Sequence, residues 1–391
     1  MNILFLAREI PYPADSGVKM RAWLVLKHLA QRHKVTMICY AEEAQLGSPH
    51  LQQACESVHA IKPLAKVGPI SLYVRMLFGL FSAEPFAIKR RYSKEYNDQV
   101  KKVLQEKNID LIVCDSLYQA VYVPEKKYKT LLNEHNIESV IIERYAELEK
   151  NSLKAWYARY ELKRMKQFEE KIWNSVELIL VCSDIDKAQV QGRCSLAKIE
   201  IVANGVDLPA LTAEEEEPFR LTYTGLIGWH PNEDAVMYFA KEMYPLIKQA
   251  MPQVCWWIVG KGPSAAVKQL ANEGSITVTG AVERIEPYIK RSAVIVVPLR
   301  IGSGTRLKIL EALAMKKAVV STSIGCEGLE VEHKKNILIA DTYQDFANAV
   351  IGLLNDPQKR KSLGESGRRL VEEKYSYEVI GKEIGKIIEK L

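Results

Sequence analysis

No stretch of about 18 apolar residues occurs in the chain, which excludes a membrane-spanning helix from the expected architecture. The start, MNILFLAREIPYP, meets Arg8 and Glu9 too early for the apolar core of a secretory leader, so a cytoplasmic setting is expected. Cysteine is sparse. Cys39, Cys55, Cys114, Cys182, Cys194, Cys255 and Cys326 stand apart, without the paired spacing of a zinc site or a disulfide framework, and read as buried thiols of a reducing compartment. There is no helix-turn-helix pattern, zinc knuckle or basic-aromatic array, and nucleic acid is not an expected partner. The triplet Gly260-Lys261-Gly262 lacks the longer glycine spacing and the Lys-Ser/Thr end of a nucleoside-triphosphate loop.

What the chain does have is length and apolar mass. Its 391 residues, 48% of them hydrophobic, exceed one ordinary core and fit two domains. A net charge of +6 and a pI near 8.7 favour anionic partners. Charge alone does not choose among nucleotide sugars, acidic lipid headgroups and nucleic acid; the missing motifs set the last aside.

The most informative stretch is VIVVPLRIGSGTRLKILEALAMKKAVVSTSIGCEGL, residues 294–329. A β-branched run stopping at Pro298 predicts a buried parallel strand whose ladder ends where proline removes a donor. Gly302 and Gly304 then allow a tight turn and a close approach to a bound group. Leu307, Leu310, Leu313 and Ala314 recur at three- and four-residue spacing and predict a helix ending near Lys317, with Ser303 or Thr305 as its cap. Such a helix start directs unpaired N–H groups and partial positive charge into the space above the strands, and Arg306 and Lys308 add two full charges beside it. Glu311 lies about 4.5 Å further along the axis on a neighbouring face. Its carboxylate can accept two hydroxyl hydrogen bonds, which a ribose offers. The residues alone leave two readings open: a phosphate and ribose site, or a solvated face with one weak ion pair.

Strands alternate with helical patterns along the rest of the chain. Residues 2–7 form a strand, a turn passes through Pro11, Pro13 and Gly17, and a helix over 18–31 places Trp23, Leu26 and Ala30 on one stripe. This is the opening of a doubly wound α/β domain. Further strands are expected at 34–40, 109–114, 130–133, 176–182 and 198–202. Asp115-Ser116 and Glu134-His135-Asn136 stand just past two of them, where open α/β sheets place ligands. Glu134 has three readings: it orients His135, meets an acceptor hydroxyl, or caps a helix starting near Ile137. Residues 137–173 read as a charged helical region broken near Asn151-Ser152, with Lys154, Arg159, Lys163, Arg164 and Lys166 on a solvated basic face. Residues 70–86 are apolar and aromatic and run into Lys89-Arg90-Arg91; they either pack on the core or meet a lipid surface. Glutamates 214–217 read as a solvated linker. Beyond them come a strand over 221–224 turning at Gly225, Pro231 as a first helical residue, a strand over 254–259 ending at Gly260, and a strand over 276–279 before Gly280. Helices over 343–353, 357–373 and 377–390 finish the chain.

The segments YTGLIGWHPNEDAV, WWIVGKGP, VTGAV, GSGTRLKILEALA and AVVSTSIGCEGL match in order and spacing, so that residues 219–329 resemble the nucleotide-binding half of the retaining GT-B glycosyltransferases of the group-one type. Those enzymes use nucleoside-diphosphate sugars, and the resemblance extends more weakly over the first half. It implies an α/β fold of GT-B architecture, two Rossmann-like doubly wound domains facing across a cleft. Residues 1–208 would be the acceptor-binding domain, 209–373 the nucleotide-sugar domain, and 374–391 a helix returning to the first.

The resemblance also implies roles. Arg306, Lys308 and the backbone of Ser303, Gly304 and Thr305 would hold the donor diphosphate, with Glu311 on the ribose. Gly280 would set backbone groups against the base, Gly225 and Gly260 belong to the donor-side turns, and Gly17 matches a first-domain loop in which many relatives carry a glycine pair. His135 matches a histidine that touches the transferred sugar, which makes His135, Arg306 and Lys308 the expected catalytic set. Two departures stand out. The loop after Gly225 lacks the family's arginine and lysine, leaving Asn232 as a lesser contact and more of the phosphate load on Arg306 and Lys308. Ser303 stands where many relatives carry a glutamate directed at the sugar, so Glu327 or nearby amides would read the sugar hydroxyls instead.

The implied reaction moves a sugar, with retention, from a UDP or GDP carrier to a hydroxyl of a glycan or lipid-linked saccharide in cell-envelope or extracellular polysaccharide synthesis. No cofactor and no metal are expected, the basic groups taking a cation's place. The setting would be the cytoplasm or the inner face of the membrane, with peripheral contact to anionic lipid. The other reading is a non-catalytic nucleotide-sugar-binding scaffold of the same fold.

Overall fold

The computed structural model describes residues 1–64, 76, 79–80, 82–124, 127–210 and 216–390. The chain forms two compact units, Met1–Ala203 with Gly381–Leu391, and Asn204–Ile380. Both are doubly wound α/β units of the GT-B kind.

The first unit is built on seven strands: β1 (Asn2–Leu6), β2 (Lys34–Tyr40), β3 (Ser57–Ile61), β4 (Leu111–Cys114), β5 (Thr130–Asn133), β6 (Leu178–Val181) and β7 (Lys198–Ile201). They lie in the order β3-β2-β1-β4-β5-β6-β7, every pair parallel. The second unit has six: β8 (Glu217–Thr224), β9 (Cys255–Val259), β10 (Ile276–Gly280), β11 (Ser292–Val297), β12 (Ala318–Ser321) and β13 (Leu338–Ile339). Their order is β10-β9-β8-β11-β12-β13, again all parallel. Parallel neighbours need crossover helices, and helices on both faces leave the strands no wet side. The continuous apolar runs at β4, β6, β11 and β12 are accordingly buried from end to end. Strand β3 (SVHAI) is an edge strand with only Ile61 buried, and it lacks the apolar run that makes β4, β6, β11 and β12 legible; the two-residue β13 is likewise not expected from the sequence.

Each sheet reverses its winding once, between β1 and β4 and between β8 and β11. At these points successive loops leave in opposite directions and open a crevice beyond the carboxyl ends of the strands.

Several expectations are revised by packing. The helix Gly17–Ala30 buries Arg21, Ala22, Leu24, Val25, Leu26 and Leu29, not a stripe through Trp23 and Ala30. Trp23 packs instead on Tyr12 of the preceding loop, ring centroids 5.1 Å apart. The helical break is present between Glu138–Leu148 and Ser152–Trp173, where the Asn151 side chain accepts from the amides of Leu153 and Lys154. Arg164 does not belong to a solvated face: it is buried, paired with Glu161, and donates to the carbonyls of Ser82 and Glu84. Of the glutamate run, 214 and 215 lie outside the described residues. Glu216 binds Lys317 and Arg360, and Glu217 opens β8 with ion pairs to Arg220 and Arg291, so these two are structural partners and not linker. Of the apolar stretch 70–86, residues 70–75, 77–78 and 81 lie outside the described residues; the short helix Phe86–Lys89, which begins at its last residue, buries Ile88. All cysteines are unpaired and all but Cys255 are buried. Among the described residues no helix is long and apolar enough to cross a membrane.

Residues 204–208, expected at the end of the first domain, belong to the second unit. Val206 N–H donates to the Tyr375 carbonyl at 2.8 Å and Tyr377 N–H donates to that of Val206 at 3.1 Å, so residues 204–208 and 374–380 fold with the second unit. The helix Tyr377–Ile388 joins the first unit from Gly381 onward, and a Cβ on Gly381 would lie 1.9 Å from His28 Nε2.

Two glycines on helices provide a test of this packing. A Cβ on Gly364 would sit 2.0 Å from the Lys316 carbonyl oxygen, whereas one on Gly352 would meet nothing within 4 Å. Gly364→Ala should therefore lower unfolding free energy by about 2 kcal/mol or more, and Gly352→Ala should raise it by about 0.5 kcal/mol, measured by urea denaturation.

Candidate functional site

In the second unit the switch point collects the loop after β8 and the loop after β11. Lys308, in the first turn of the helix Leu307–Ala314, places its Nζ 3.0 Å from Asn232 Oδ1 and 3.9 Å from the centroid of the Tyr223 ring. Tyr223, near the end of β8, donates its hydroxyl to the same Asn232 oxygen at 2.6 Å, and Asn232 Nδ2 donates to the Leu226 carbonyl at 2.8 Å. Asn232 thus holds the lysine from one side while the aromatic face steadies it from another. Gly225 faces this arrangement: a Cβ there would stand 2.9 Å from Lys308 Nζ.

The backbone of Gly225 also meets Gly260. With φ +145°, Gly260 would drive a Cβ to 1.7 Å from the Gly225 carbonyl oxygen, so the loops after β8 and β9 touch main chain to main chain. Gly280 ends β10, and its carbonyl accepts from Gly260 N–H at 3.1 Å.

Arg306 is only 6% exposed and is bound by its own loop. Its Nη1 donates to the carbonyls of Ser303, at 2.7 Å, and of Gly304, its Nη2 donates to that of Ile324 at 3.1 Å, and Glu327 Oε2 stands 4.0 Å away. The guanidinium therefore braces the glycine loop while bringing its charge to the helix start. The expected caps are not used. Arg306 itself occupies the N-cap position without a side-chain cap, and Thr305 Oγ1 accepts instead from Asn204 Nδ2 at 2.7 Å. The helix also ends at Ala314, short of Lys317, where Lys316 turns at φ 56°.

The electrostatics are unlike those of a solvated face. Burial and the Arg306 charge bring Lys308 down to about 7, with Glu311 opposing. Burial and the Glu286 carboxylate push Glu311 up to about 7, against the pull of Lys308. Both groups pay for partial desolvation, which a bound anion and its hydroxyls would relieve.

In the first unit the carboxyl ends of β4 and β5 and the helix after β1 contribute one buried polar chain. Arg21 Nε donates to Asn133 Oδ1 at 2.8 Å, and its Nη1 to the Val202 carbonyl at 2.7 Å. Asn133 Nδ2 donates to Asp115 Oδ1 at 2.9 Å, and His135 Nε2 meets the same carboxylate oxygen at 3.0 Å. Arg21 and Asp115 are 2% and 1% exposed. The ring of His135 is oriented by an aspartate that is itself fixed from below, an arrangement suited to presenting an imidazole to a substrate. Gly17 opens the same helix that carries Arg21, behind the N-cap residue Ser16.

Some residues differ from expectation. Arg21, which the sequence does not single out, is the buried base of this chain; an arginine among Ala22, Leu24 and Val25 on a core-facing helix is the available signal. Glu134 neither orients His135 nor caps the helix that follows it: it is buried, accepts from Trp173 Nε1 at 2.9 Å and from the Leu117 amide at the start of the helix after β4, and burial raises its pKa well above the carboxylate range despite those bonds. Tyr223 carries no sequence signal beyond its place in a strand. One Asp-x-Asp spacing does occur, Asp184-Ile185-Asp186, which the metal-free expectation leaves out of account. It starts a helix, and Asp186 exchanges hydrogen bonds with Ser183, Oγ to Oδ2 at 2.7 Å and N–H to Oγ at 3.2 Å.

Comparison with known proteins follows the two units. Residues 16–209 match the description Glycosyltransferase Family 4 and residues 218–356 match Glycosyl transferases group 1. An uncharacterized 44.6 kDa protein in the cps region of Klebsiella pneumoniae is 22% identical over 393 residues, covering 96% of each chain. An alpha-1,3/1,6-mannosyltransferase of Dictyostelium discoideum is 33% identical over 84 residues, 21% of this chain and 20% of its own. Sucrose-phosphate synthase from Thermosynechococcus elongatus has a TM-score of 0.74 at 17% identity, over 100% of this chain and 99% of that one. Anabaena HepE in complex with UDP-glucose scores 0.68 at 16% identity over all of both chains. WaaG, a glycosyltransferase involved in lipopolysaccharide biosynthesis, scores 0.67 at 12% identity over 99% of both. At such identities the likeness to these structures is one of fold.

The paired shifts make a test of the second unit's site. Glu311 binds more protons folded than unfolded between its ordinary 4.5 and about 7, so stability should fall across that window as pH rises. Lys308 binds fewer protons folded than unfolded between about 7 and its ordinary 10.5, so its penalty is relieved as pH rises through that range. Thermal unfolding against pH should show the first slope flattened in Glu311→Gln and the second in Lys308→Met. In the first unit, Arg21→Met should cost about 2 to 3 kcal/mol in denaturant unfolding by stripping charge-assisted hydrogen bonds from a buried chain.

Proposed function

The chain belongs to the group 1 glycosyltransferases of GT-B fold, and from that premise we propose that it moves a sugar, with retention of configuration, from a nucleoside-diphosphate sugar to a hydroxyl of a glycan or glycolipid acceptor. The observation that carries this reading is Lys308, at a sheet's switch point, whose contacts, the Asn232 amide oxygen and the Tyr223 ring, are uncharged, so that a bound anion would favour its charged form. A diphosphate is the ligand class that such a charge beside a helix start takes.

In the proposed reaction the acceptor oxygen bonds to the anomeric carbon on the face that the diphosphate leaves, the bond to the phosphate oxygen breaks, and the acceptor proton passes to that oxygen. Negative charge grows on the diphosphate as the bond breaks. Lys308 and the amides at the helix start stabilise that growth more than they stabilise the bound donor. Arg306 acts through its positive field and by fixing the loop that aims those amides. Glu311 receives the ribose hydroxyls, Gly280 and its neighbours face the base, and His135, held by Asp115, contacts the transferred sugar. Glu327, beside Arg306, is the carboxylate placed to read sugar hydroxyls where Ser303 cannot supply a charge. The basic groups meet the diphosphate charge in this scheme, and no metal is assigned a step. UDP or GDP is the proposed carrier.

The second unit takes the donor and the first the acceptor. Cell-envelope or extracellular polysaccharide synthesis on the cytoplasmic side of the membrane is the proposed setting, a reading supported by the full-length relative named for a cps region.

Thermal stabilisation by a panel of UDP, GDP, TDP and ADP tests the donor site, since a ligand of the folded state alone raises apparent stability, by about 2.7 kcal/mol at 100 times its Kd. UDP or GDP should shift the wild-type melting temperature, and the shift should vanish in Arg306→Met/Lys308→Met. An unchanged response in that double variant would sink the assignment. Binding of a nucleotide sugar with no transfer to any component of a membrane extract would replace the enzyme with a scaffold.

A further inference from the structure

Beyond the carboxyl ends of β1 and β4, two arginines approach one ring, and a third, Arg90, adjoins the second in sequence. Arg8 follows β1, and its guanidinium carbon lies 5.8 Å from the centroid of the Tyr118 ring; that of Arg91 lies 4.3 Å from the same centroid. Tyr118 is on the short helix after β4 and is buried, a fixed platform for the two guanidiniums. Arg91 is held in turn by donating to the Ala87 carbonyl at 3.0 Å. Arg90 is exposed and belongs to the same electrostatic group: burial of its stem and the charges of Arg91 and Arg8 all disfavour its protonated form, with Tyr118 opposing.

The carboxylate facing them is Glu138, at the start of the helix that follows β5. Burial raises its pKa, against Arg91, the Tyr118 hydroxyl that bonds to it, Arg8 and His135. With Glu138 displaced toward its neutral form by burial, the cluster is left positive. Glu138 also lies within electrostatic reach of His135, the residue held by Asp115. The location is the switch point between β1 and β4, the first unit's counterpart of the place where the second unit sets Lys308. Arginine forks placed around a single point suit a tetrahedral phosphoryl group, whose oxygens they reach from several sides.

We propose that Arg8, Arg90 and Arg91 form a phosphoryl subsite in the first unit, and that the acceptor carries a phosphate or diphosphate near the hydroxyl that receives the sugar. The word acceptor rests on the glycosyltransferase reading; the anion site itself does not. A phosphoryl group of this kind comes either from a lipid diphosphate or from a phosphorylated glycan, and the two differ in what lies beside the phosphate.

The test uses the full chain carrying Arg306→Met/Lys308→Met, so that the second unit's phosphate site is removed, and titrates it calorimetrically with glycerol phosphate and geranyl diphosphate, with glycerol and geraniol as neutral controls. Both phosphoryl probes should bind and the neutral ones should not, and adding Arg8→Gln or Arg90→Gln, at exposed positions, should weaken binding about tenfold, the loss expected for one charge-assisted hydrogen bond. Geranyl diphosphate binding well above glycerol phosphate would assign a lipid carrier; equal binding would assign a phosphorylated glycan. Absence of phosphoryl binding, binding indifferent to both substitutions, or equal binding of the neutral probes would overturn the subsite. If the wild type binds nucleotides while these titrations fail, only this inference falls; if the titrations succeed and no nucleotide binds, the donor reading falls and the subsite stands.

Discussion

Where β8 and β11 lie side by side, the sheet changes its direction of winding, and the chain must leave the two strands by opposite routes. No helix can cover the gap between those routes, so main-chain amides, loop carbonyls and short polar side chains face a crevice instead of a core. Lys308, Asn232, Gly225 and Arg306 stand where they do because of that reversal. The same constraint at β1 and β4 places Arg8, Asp115 and Tyr118. Parallel sheets supply the rigidity behind both, since their strands are buried on each face and the loops are anchored at one end of a close-packed frame.

The two crevices handle charge in opposite ways. In the first unit Arg21, Asn133 and Asp115 complete one another through buried hydrogen bonds, and His135 is the end of that chain that reaches toward the surface. Its stability comes from mutual satisfaction. In the second unit Lys308 and Glu311 are left under-compensated by their surroundings, each displaced toward neutrality by burial and by a like-charged neighbour. A site of that kind gains from a ligand what its own side chains do not provide. Arg306 stands between these cases, since its hydrogen bonds go to the loop while its charge remains.

Much of the fold was legible because buried parallel strands write themselves as short unbroken apolar runs, and β11 with its glycine loop and helix is the clearest instance. The donor-side residues were legible for a related reason: glycines and charges at the carboxyl end of such a run have few other uses. What escaped notice depends on partners far away in sequence. Arg21 is not singled out until Asn133, on β5, is known to lie beside it, and Glu134 reads as functional until Trp173 is seen to hold it in the core. Edge strand β3 was missed because half its environment is solvent, and the caps at Ser303 and Thr305 were misjudged because Asn204 and Arg306 had prior claims on that loop.

The contact between Gly225 and Gly260 has a consequence for how the donor side could vary. Two loops from neighbouring strands are fused at their main chains, with no side chain between them to be exchanged for another. Diversity in what this unit binds must therefore enter elsewhere, through residues such as Asn232, on the helix after β8, and Glu327, beyond β12. The fused pair behaves as a fixed datum against which those substitutions are measured.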